Sequence, residues 1–197
     1  MDQLIKIAIK IFPDRKKDSS NGPIYLHKSA LDFPDAALIS TIKETKNLYL
    51  KSTDLPAWHP PQKKGFFRHI VVRKSFAEDK LLINLVTSSE GLKKFDPSIF
   101  VDFLVSKLGK RLGGVQHTVN DNVADRAKIE NGNCQLLYGE PVVTERLLGL
   151  DFEISMESFF QTNPACAERL YNKALEYENS ALRSRRQAMY QHLNEAQ

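Results

Sequence analysis

Two runs rich in β-branched and aliphatic residues most constrain how this chain folds. They extend from His69 to Lys74 and from Leu81 to Thr87. The polar segment Ser75 to Lys80 separates them, and its length suits the connection of a β-hairpin. Near the N-terminus, Leu4 to Phe12 alternates isoleucine with lysine or alanine, a period of two that predicts a half-buried strand. A second short strand is expected from Ile24 to His27, after a turn.

Three segments carry the apolar spacing of helices. The first extends from Pro34 to Asn47, the second begins at Asp96-Pro97 and the third at Asn163-Pro164. Aspartate and asparagine are favoured N-caps, and proline is tolerated in a first turn because its missing N–H would be unpaired there anyway. We expect Gly113-Gly114 to end the second helix and to precede a strand from Val115 to Val119. The apolar stripe of the second helix is Phe100, Phe103, Leu104 and Leu108.

Three further β-type runs follow: Gln135 to Tyr138, Val142 to Leu148 and Phe152 to Met156. The turn residues between them predict a meander of consecutive strands. Strands with hairpin-length connections and intervening helices favour an α+β fold, with a largely antiparallel sheet and two or three packed helices. The polar residues 178–197 are expected to form a marginal helix facing solvent.

The composition argues against several kinds of protein. Cys134 and Cys166 lie far apart without a Cys-x-x-Cys pair, so zinc and iron–sulfur sites lack ligands and no metal is expected. No run approaches the ~20 apolar residues of a membrane span. Lys6 and Lys10 interrupt the apolar N-terminus, so a soluble, cytoplasmic protein is expected. The net charge is +4, and cation clusters such as Lys63-Lys64 favour a polyanionic partner.

The segment from Glu157 to Pro164 contains the strongest candidate for a functional site. It joins the aromatic pair Phe159-Phe160 to Gln161, which lies just ahead of the helix capped by Asn163. A glutamine side chain both donates and accepts hydrogen bonds, which suits a polar ligand near a helix N-terminus. Taken from the residues alone, the segment is more typical of an ordinary capped helix, with Phe159 packed in the core.

Leu150 to Tyr171, with Phe-Phe-Gln-Thr-Asn-Pro at its centre, resembles a signature of the RNA uracil-5-methyltransferases. Gly65 to Arg73 is similar to the Gly-x-x-Arg-His-x-x-x-Arg segment of that family. The resemblance implies S-adenosylmethionine as cofactor and RNA as substrate, and it favours the 23S ribosomal RNA type over the transfer RNA type. Further blocks in the family's order are Gly114 to Asp121 and Tyr138-Gly139 followed by Glu145.

The resemblance also assigns roles to single residues. Gln161 matches the glutamine that contacts S-adenosylmethionine in this family, and Arg68 matches an arginine used toward RNA. Arg73 and Phe160 are further RNA-binding candidates, since an arginine fork binds phosphate and an aromatic ring can hold a flipped base. Because Arg68 and Arg73 lie five residues apart on a predicted strand, they are expected on opposite faces, one toward RNA and the other paired internally.

No catalytic residue is assigned. The resemblance implies that the nucleophilic cysteine and the general base belong to a Rossmann-like domain that these residues lack. Three parts are expected: an N-terminal strand and helix element of uncertain relationship (1–60), a central RNA-facing domain (61–177) and a polar helix or tail (178–197).

The leading interpretation is a fragment of an RNA uridine-5-methyltransferase. It would contribute RNA docking and part of the S-adenosylmethionine site, and it would be catalytically silent without a catalytic domain in cis or in trans. The second interpretation is a free-standing RNA-binding module. A protein-interaction domain that uses Trp58 and its proline-rich loop is the third.

Overall fold

A computed structural model of the protein describes residues 6–10, 36–45, 53–59, 61–122, 134–161 and 163–195. Within these ranges the chain is α+β, which confirms the predicted fold class. The strands are β1 (Lys6–Lys10), β2 (Phe67–Ser75), β3 (Lys80–Thr87), β4 (Leu112–Val119), β5 (Cys134–Gly139), β6 (Val142–Leu147) and β7 (Leu150–Ser155). The α-helices are α1 (Ala36–Glu44), α2 (Pro97–Leu108) and α3 (Pro164–Glu195).

Strands β1 to β5 form one sheet in the order of the chain, and β6 and β7 form a separate two-stranded sheet. The predicted hairpin between β2 and β3 is confirmed, and β1 pairs antiparallel with β2. Strands β3 and β4 are parallel, because α2 crosses over between them, whereas β5 returns antiparallel to β4. The sheet is therefore largely antiparallel, as expected from the sequence.

Helices α1 and α2 cover one face of the large sheet and bury its main core. Asp96 caps α2 by accepting a hydrogen bond of 2.9 Å from Ser98 N, and Pro97 opens the helix. The predicted stripe of α2 faces the sheet, with Phe103 only partly buried. The side chains that join the helices to the sheet in this core include Leu38, Phe66, Phe67, Ile70, Val72, Ile83, Phe100, Leu104 and Val115.

The predicted meander is correct for the hairpin of β6 and β7 but wrong for β5, because the hairpin forms a separate sheet that packs on the opposite face of the large sheet. Strand β5 belongs to the large sheet, whereas β6 leaves it after Gly139, whose φ is 65°. Proline at 141 supplies no N–H with which to continue the ladder. The apolar layer between the hairpin and the sheet, called here the second core, is formed by Val71, Leu82, Val86, Val143, Ile154 and Met156.

The expected role of Gly113-Gly114 also needs correction. Helix α2 ends earlier, at Leu108, and Gly109 begins a 3₁₀ turn that leads directly into β4. The two glycines lie inside β4, where a Cβ on Gly114 would stand 2.0 Å from the Glu140 carbonyl oxygen. Gly114 thus admits the backbone at the β5–β6 connection, a close approach that any side chain would block, whereas a Cβ on Gly113 would first meet the Val143 side chain, at 3.2 Å.

Helix α3 is continuous from Pro164 to Glu195, so the polar segment expected as a separate marginal helix prolongs it. From Arg169 to Gln187 every side chain is exposed. Among the described residues no helix combines the length and apolarity needed to cross a membrane. The strand predicted at Ile24 to His27 lies outside the described residues, and the boundaries at residues 60 and 177 stay predictions.

Candidate cofactor loop and nucleic-acid interface

Met156–Gln161, called here the Gln161 loop, connects β7 to the start of α3. Two serines brace its entrance. Ser155 N donates to Ser158 Oγ at 3.1 Å, Ser158 N donates to Ser155 Oγ at 3.2 Å, and the two hydroxyl oxygens are 2.8 Å apart. This reciprocal pair satisfies two main-chain donors and fixes the direction in which the chain leaves β7.

The two phenylalanines of the loop have different environments. Phe160 packs against the second core, with its ring centroid 5.8 Å from that of Phe152. Phe159 is 87% exposed, so the expectation that it packs in the core is wrong. Phe160 is only partly buried, and its predicted contact with RNA stays a prediction.

Gln161 is half-buried at the end of this loop, just before the capped start of α3. Asn163 Oδ1 accepts from Cys166 N at 3.0 Å, and Asn163 O accepts from Ala167 N at 3.0 Å, which confirms the predicted cap. Helix α3 is in turn tied to the hairpin, because the Glu168 carboxylate accepts from Leu148 N at 2.9 Å. Gln161 is thus presented near a helix N-terminus whose partial positive charge favours anionic groups.

Arg73 reaches the same loop from β2. Its Nη2 donates a hydrogen bond of 2.7 Å to the Ser158 carbonyl oxygen, and the side chain is only 3% exposed. Burial lowers the pKa of the Arg73 guanidinium, and the Glu157 carboxylate partly offsets this effect. A link across 85 residues could not be predicted from the sequence, although Arg73 itself was selected as a candidate.

Arg68 organises a different part of the surface. Its guanidinium lies 4.3 Å from the centre of the Trp58 ring and donates to the carbonyl oxygens of Asn120 and Asn122, the latter at 2.7 Å. The side chain is 1% exposed. Arg68 therefore joins the loop that follows β4 to the segment that precedes β2. Trp58 is buried in this contact, which removes the surface feature behind the protein-interaction hypothesis.

Exposed cations lie at several of the clusters seen in the sequence. Lys74 and Arg111 both pair with Asp79, at 3.2 and 3.0 Å, so these two contribute less to a phosphate-binding surface. The exposed members include Lys63, Lys64, Lys93, Lys94, Lys110, Arg183, Arg185 and Arg186. Solvent-exposed side chains of this charge can neutralise phosphates and release counterions.

His117 makes the stability of the protein depend on pH. Its Nε2 is 2.9 Å from Thr87 Oγ1, and burial lowers the pKa of the imidazole. The unfolded chain therefore takes up the proton first, so stability is complete above the unfolded pKa of about 6.5 and falls as the pH decreases below it. We expect urea midpoints to decrease between pH 7 and 5, and H117Q to flatten this dependence. An equal slope in H117Q would contradict the prediction.

Comparison with known proteins shows which class of protein the chain is similar to. No known family profile matches it. It is 39% identical over 131 residues, 66% of its length, to an uncharacterized RNA methyltransferase of Clostridium acetobutylicum. It is 38% identical over 129 residues to one of Caldanaerobacter subterraneus, and 30% identical over 136 residues to one of Staphylococcus aureus. The chain spans only 28–29% of the length of these three relatives.

The chain also shares its fold with a solved structure. It is the tRNA (uracil-54, C5)-methyltransferase of Pyrococcus abyssi, crystallised with S-adenosyl-L-homocysteine. The two structures align with a TM-score of 0.54 over 88% of this chain and 41% of the other, at 22% sequence identity. The likeness establishes the architecture, and the relatives establish similarity to RNA methyltransferases.

Proposed function

We propose that this chain is the RNA-facing portion of an S-adenosylmethionine-dependent RNA uracil-5-methyltransferase. The observation that carries the proposal is the Gln161 loop, which lies in one of the blocks that resemble that family and ends at a capped helix. Similarity to relatives named RNA methyltransferases supports it. Catalysis would come from a further domain, in cis or in trans, and the chain alone would be silent.

The residues of the loop fit the cofactor as one wall of a site. The half-buried Gln161 amide offers a donor and an acceptor for the polar groups of S-adenosylmethionine, and Phe160 adds an apolar surface beside it. When bound, the cofactor would supply the methyl group. The role of this chain is to hold the amide in place, next to a helix N-terminus that carries partial positive charge.

RNA docking would depend on the exposed cations. The guanidinium groups of Arg68 and Arg73 are both buried and donate to main-chain carbonyls, so phosphate contacts fall more naturally to exposed lysines such as Lys63 and Lys64. The two arginines would then shape the loops that flank the RNA. Ribosomal RNA is the proposed substrate, and the cytoplasm the proposed compartment.

The first test is cofactor binding by Q161A. In a complex with the catalytic portion of the Clostridium acetobutylicum relative, calorimetry should show S-adenosylmethionine binding weakened about 10–100-fold, because a ligand hydrogen bond is lost in a partly dry site. Q135A, which changes an exposed glutamine on β5, should bind as the unchanged chain does.

RNA binding distinguishes the alternatives. The proposal requires the chain to bind ribosomal RNA fragments with a steep salt dependence, and S-adenosylmethionine to bind only when the catalytic portion is present. RNA binding without any cofactor site in the complex would favour a free-standing RNA-binding module. Absence of RNA affinity at low salt would contradict both functions.

A further inference from the structure

Arg73 lies at a position where a charged side chain costs folding free energy. It follows Val71 by two positions on β2, so it faces the same side of the sheet as the second core. Its Nε and Nη1 atoms are buried and have no hydrogen-bond partner among the described residues. One bond, from Nη2 to Ser158 O at 2.7 Å, engages the guanidinium.

An apolar side chain of similar volume would serve packing better. Buried charged groups that are incompletely paired cost stability, and their replacement by hydrophobic residues is often neutral or stabilising. What arginine adds here is a directional bond from a charged donor, which is stronger than a neutral hydrogen bond. That bond ends on the main chain of the Gln161 loop, three residues before Gln161.

We infer that Arg73 is the positioning residue of the Gln161 loop: it holds the main chain at Ser158 against β2 and thereby sets where Phe160 and Gln161 are presented. Two further contacts hold the loop: the Ser155–Ser158 pair at its entrance, and the contact of Phe160 with Phe152 on the other side of Phe159. The identity of the ligand that Gln161 binds rests on the proposed function, whereas the role of Arg73 in ordering the loop does not depend on it.

The main test compares three variants by NMR without RNA or cofactor, and a second measurement compares the salt dependence of RNA binding by R73M with that of the unchanged chain. In R73M the ¹⁵N order parameters of Ser158, Phe160 and Gln161 should fall from about 0.85 to below about 0.6. The side-chain amide signals of Gln161 should move toward their unfolded positions, while the urea midpoint stays equal or rises. R73K, which keeps one donor, should restore part of the order. R146M alters an exposed arginine on β6 and should change neither reading.

Three results would overturn the inference. The loop could stay ordered in R73M; order could fall equally throughout β2 to β4 together with the urea midpoint, which would make Arg73 a packing residue; or the loop could be unchanged while the salt dependence of RNA binding falls by about one phosphate contact, as direct contact requires. If R73M does not fold, R73Q, which also removes the charge, decides between the same outcomes. Failure of the Q161A test would leave these readings intact, so the two proposals fail separately.

Discussion

Replacing Glu145 with alanine is expected to lower the free energy of unfolding by about 3–5 kcal/mol. The carboxylate is 2% exposed and accepts three main-chain hydrogen bonds: from Phe76 N at 2.7 Å, Ala77 N at 3.1 Å and Arg146 N at 2.9 Å. Alanine would leave these partly buried donors without their acceptor, and a donor left unsatisfied in a fully buried site costs about 1–3 kcal/mol.

The effect should be large because Glu145 connects two sheets. Phe76 and Ala77 belong to the turn between β2 and β3, and Glu145 lies in β6. Beside it, Thr144 N donates to the Glu78 carboxylate at 2.8 Å, and Ser75 Oγ donates to Thr144 O. Loss of Glu145 therefore weakens the attachment of the hairpin that leads into the Gln161 loop.

Urea denaturation of E145A, E145Q and E153A would check this prediction. Glu153 is exposed on β7, so E153A should change stability by less than about 0.5 kcal/mol. E145Q keeps one acceptor oxygen and should fall between the two. Equal stability of E145A and E153A would show that the turn does not depend on this carboxylate.

The second large effect is expected from R68A, at about 3–5 kcal/mol of lost stability. The substitution removes two charge-assisted hydrogen bonds to the carbonyls of Asn120 and Asn122. It also removes the guanidinium from the Trp58 ring, 4.3 Å away, and leaves a cavity where a fully buried side chain had been. R183A, on the exposed part of α3, is the matched control and should be nearly neutral.

A second variant of Arg68 tests whether this side chain contacts RNA directly. R68Q removes the charge but keeps an amide donor, so it should be less stable, yet fold. If Arg68 acts only by ordering the loop after β4, the salt dependence of RNA binding by R68Q should equal that of the unchanged chain. A slope reduced by about one, at unchanged loop order, would instead establish the phosphate contact expected from the family resemblance.

Much of the local structure was predictable because its causes are local. The alternation around Ile7 and Ile9 predicts β1, and the β-branched runs on either side of Ser75 to Lys80 predict the hairpin. The caps at Asp96 and Asn163 depend on atoms two or three residues away. In each case short-range backbone geometry and periodic burial agree with the tertiary fold, so the pattern and the structure coincide.

The candidate site was predictable only in part. The motif blocks provided the candidates Gln161, Arg68, Arg73 and Phe160. The sequence analysis expected only one of the two arginines to turn inward, whereas both are buried. The anchoring roles of Ser158 and Glu145 carried no sequence signal, since a serine after a strand and a glutamate within one are common. Their partners, Arg73 and the Phe76 turn, lie 85 and 69 residues away in the chain.

The sequence by itself therefore determined most of the described elements and the cap that places Gln161 ahead of α3. Only the tertiary structure decided that β5 joins the large sheet while β6 leaves it, because that choice depends on the close approach of the Glu140 backbone to Gly114. It also decided that Arg68 and Arg73 turn inward. Distant segments of the chain decide whether a charged side chain contacts water or a main-chain carbonyl. The periodicity of apolar residues in the sequence does not encode this choice.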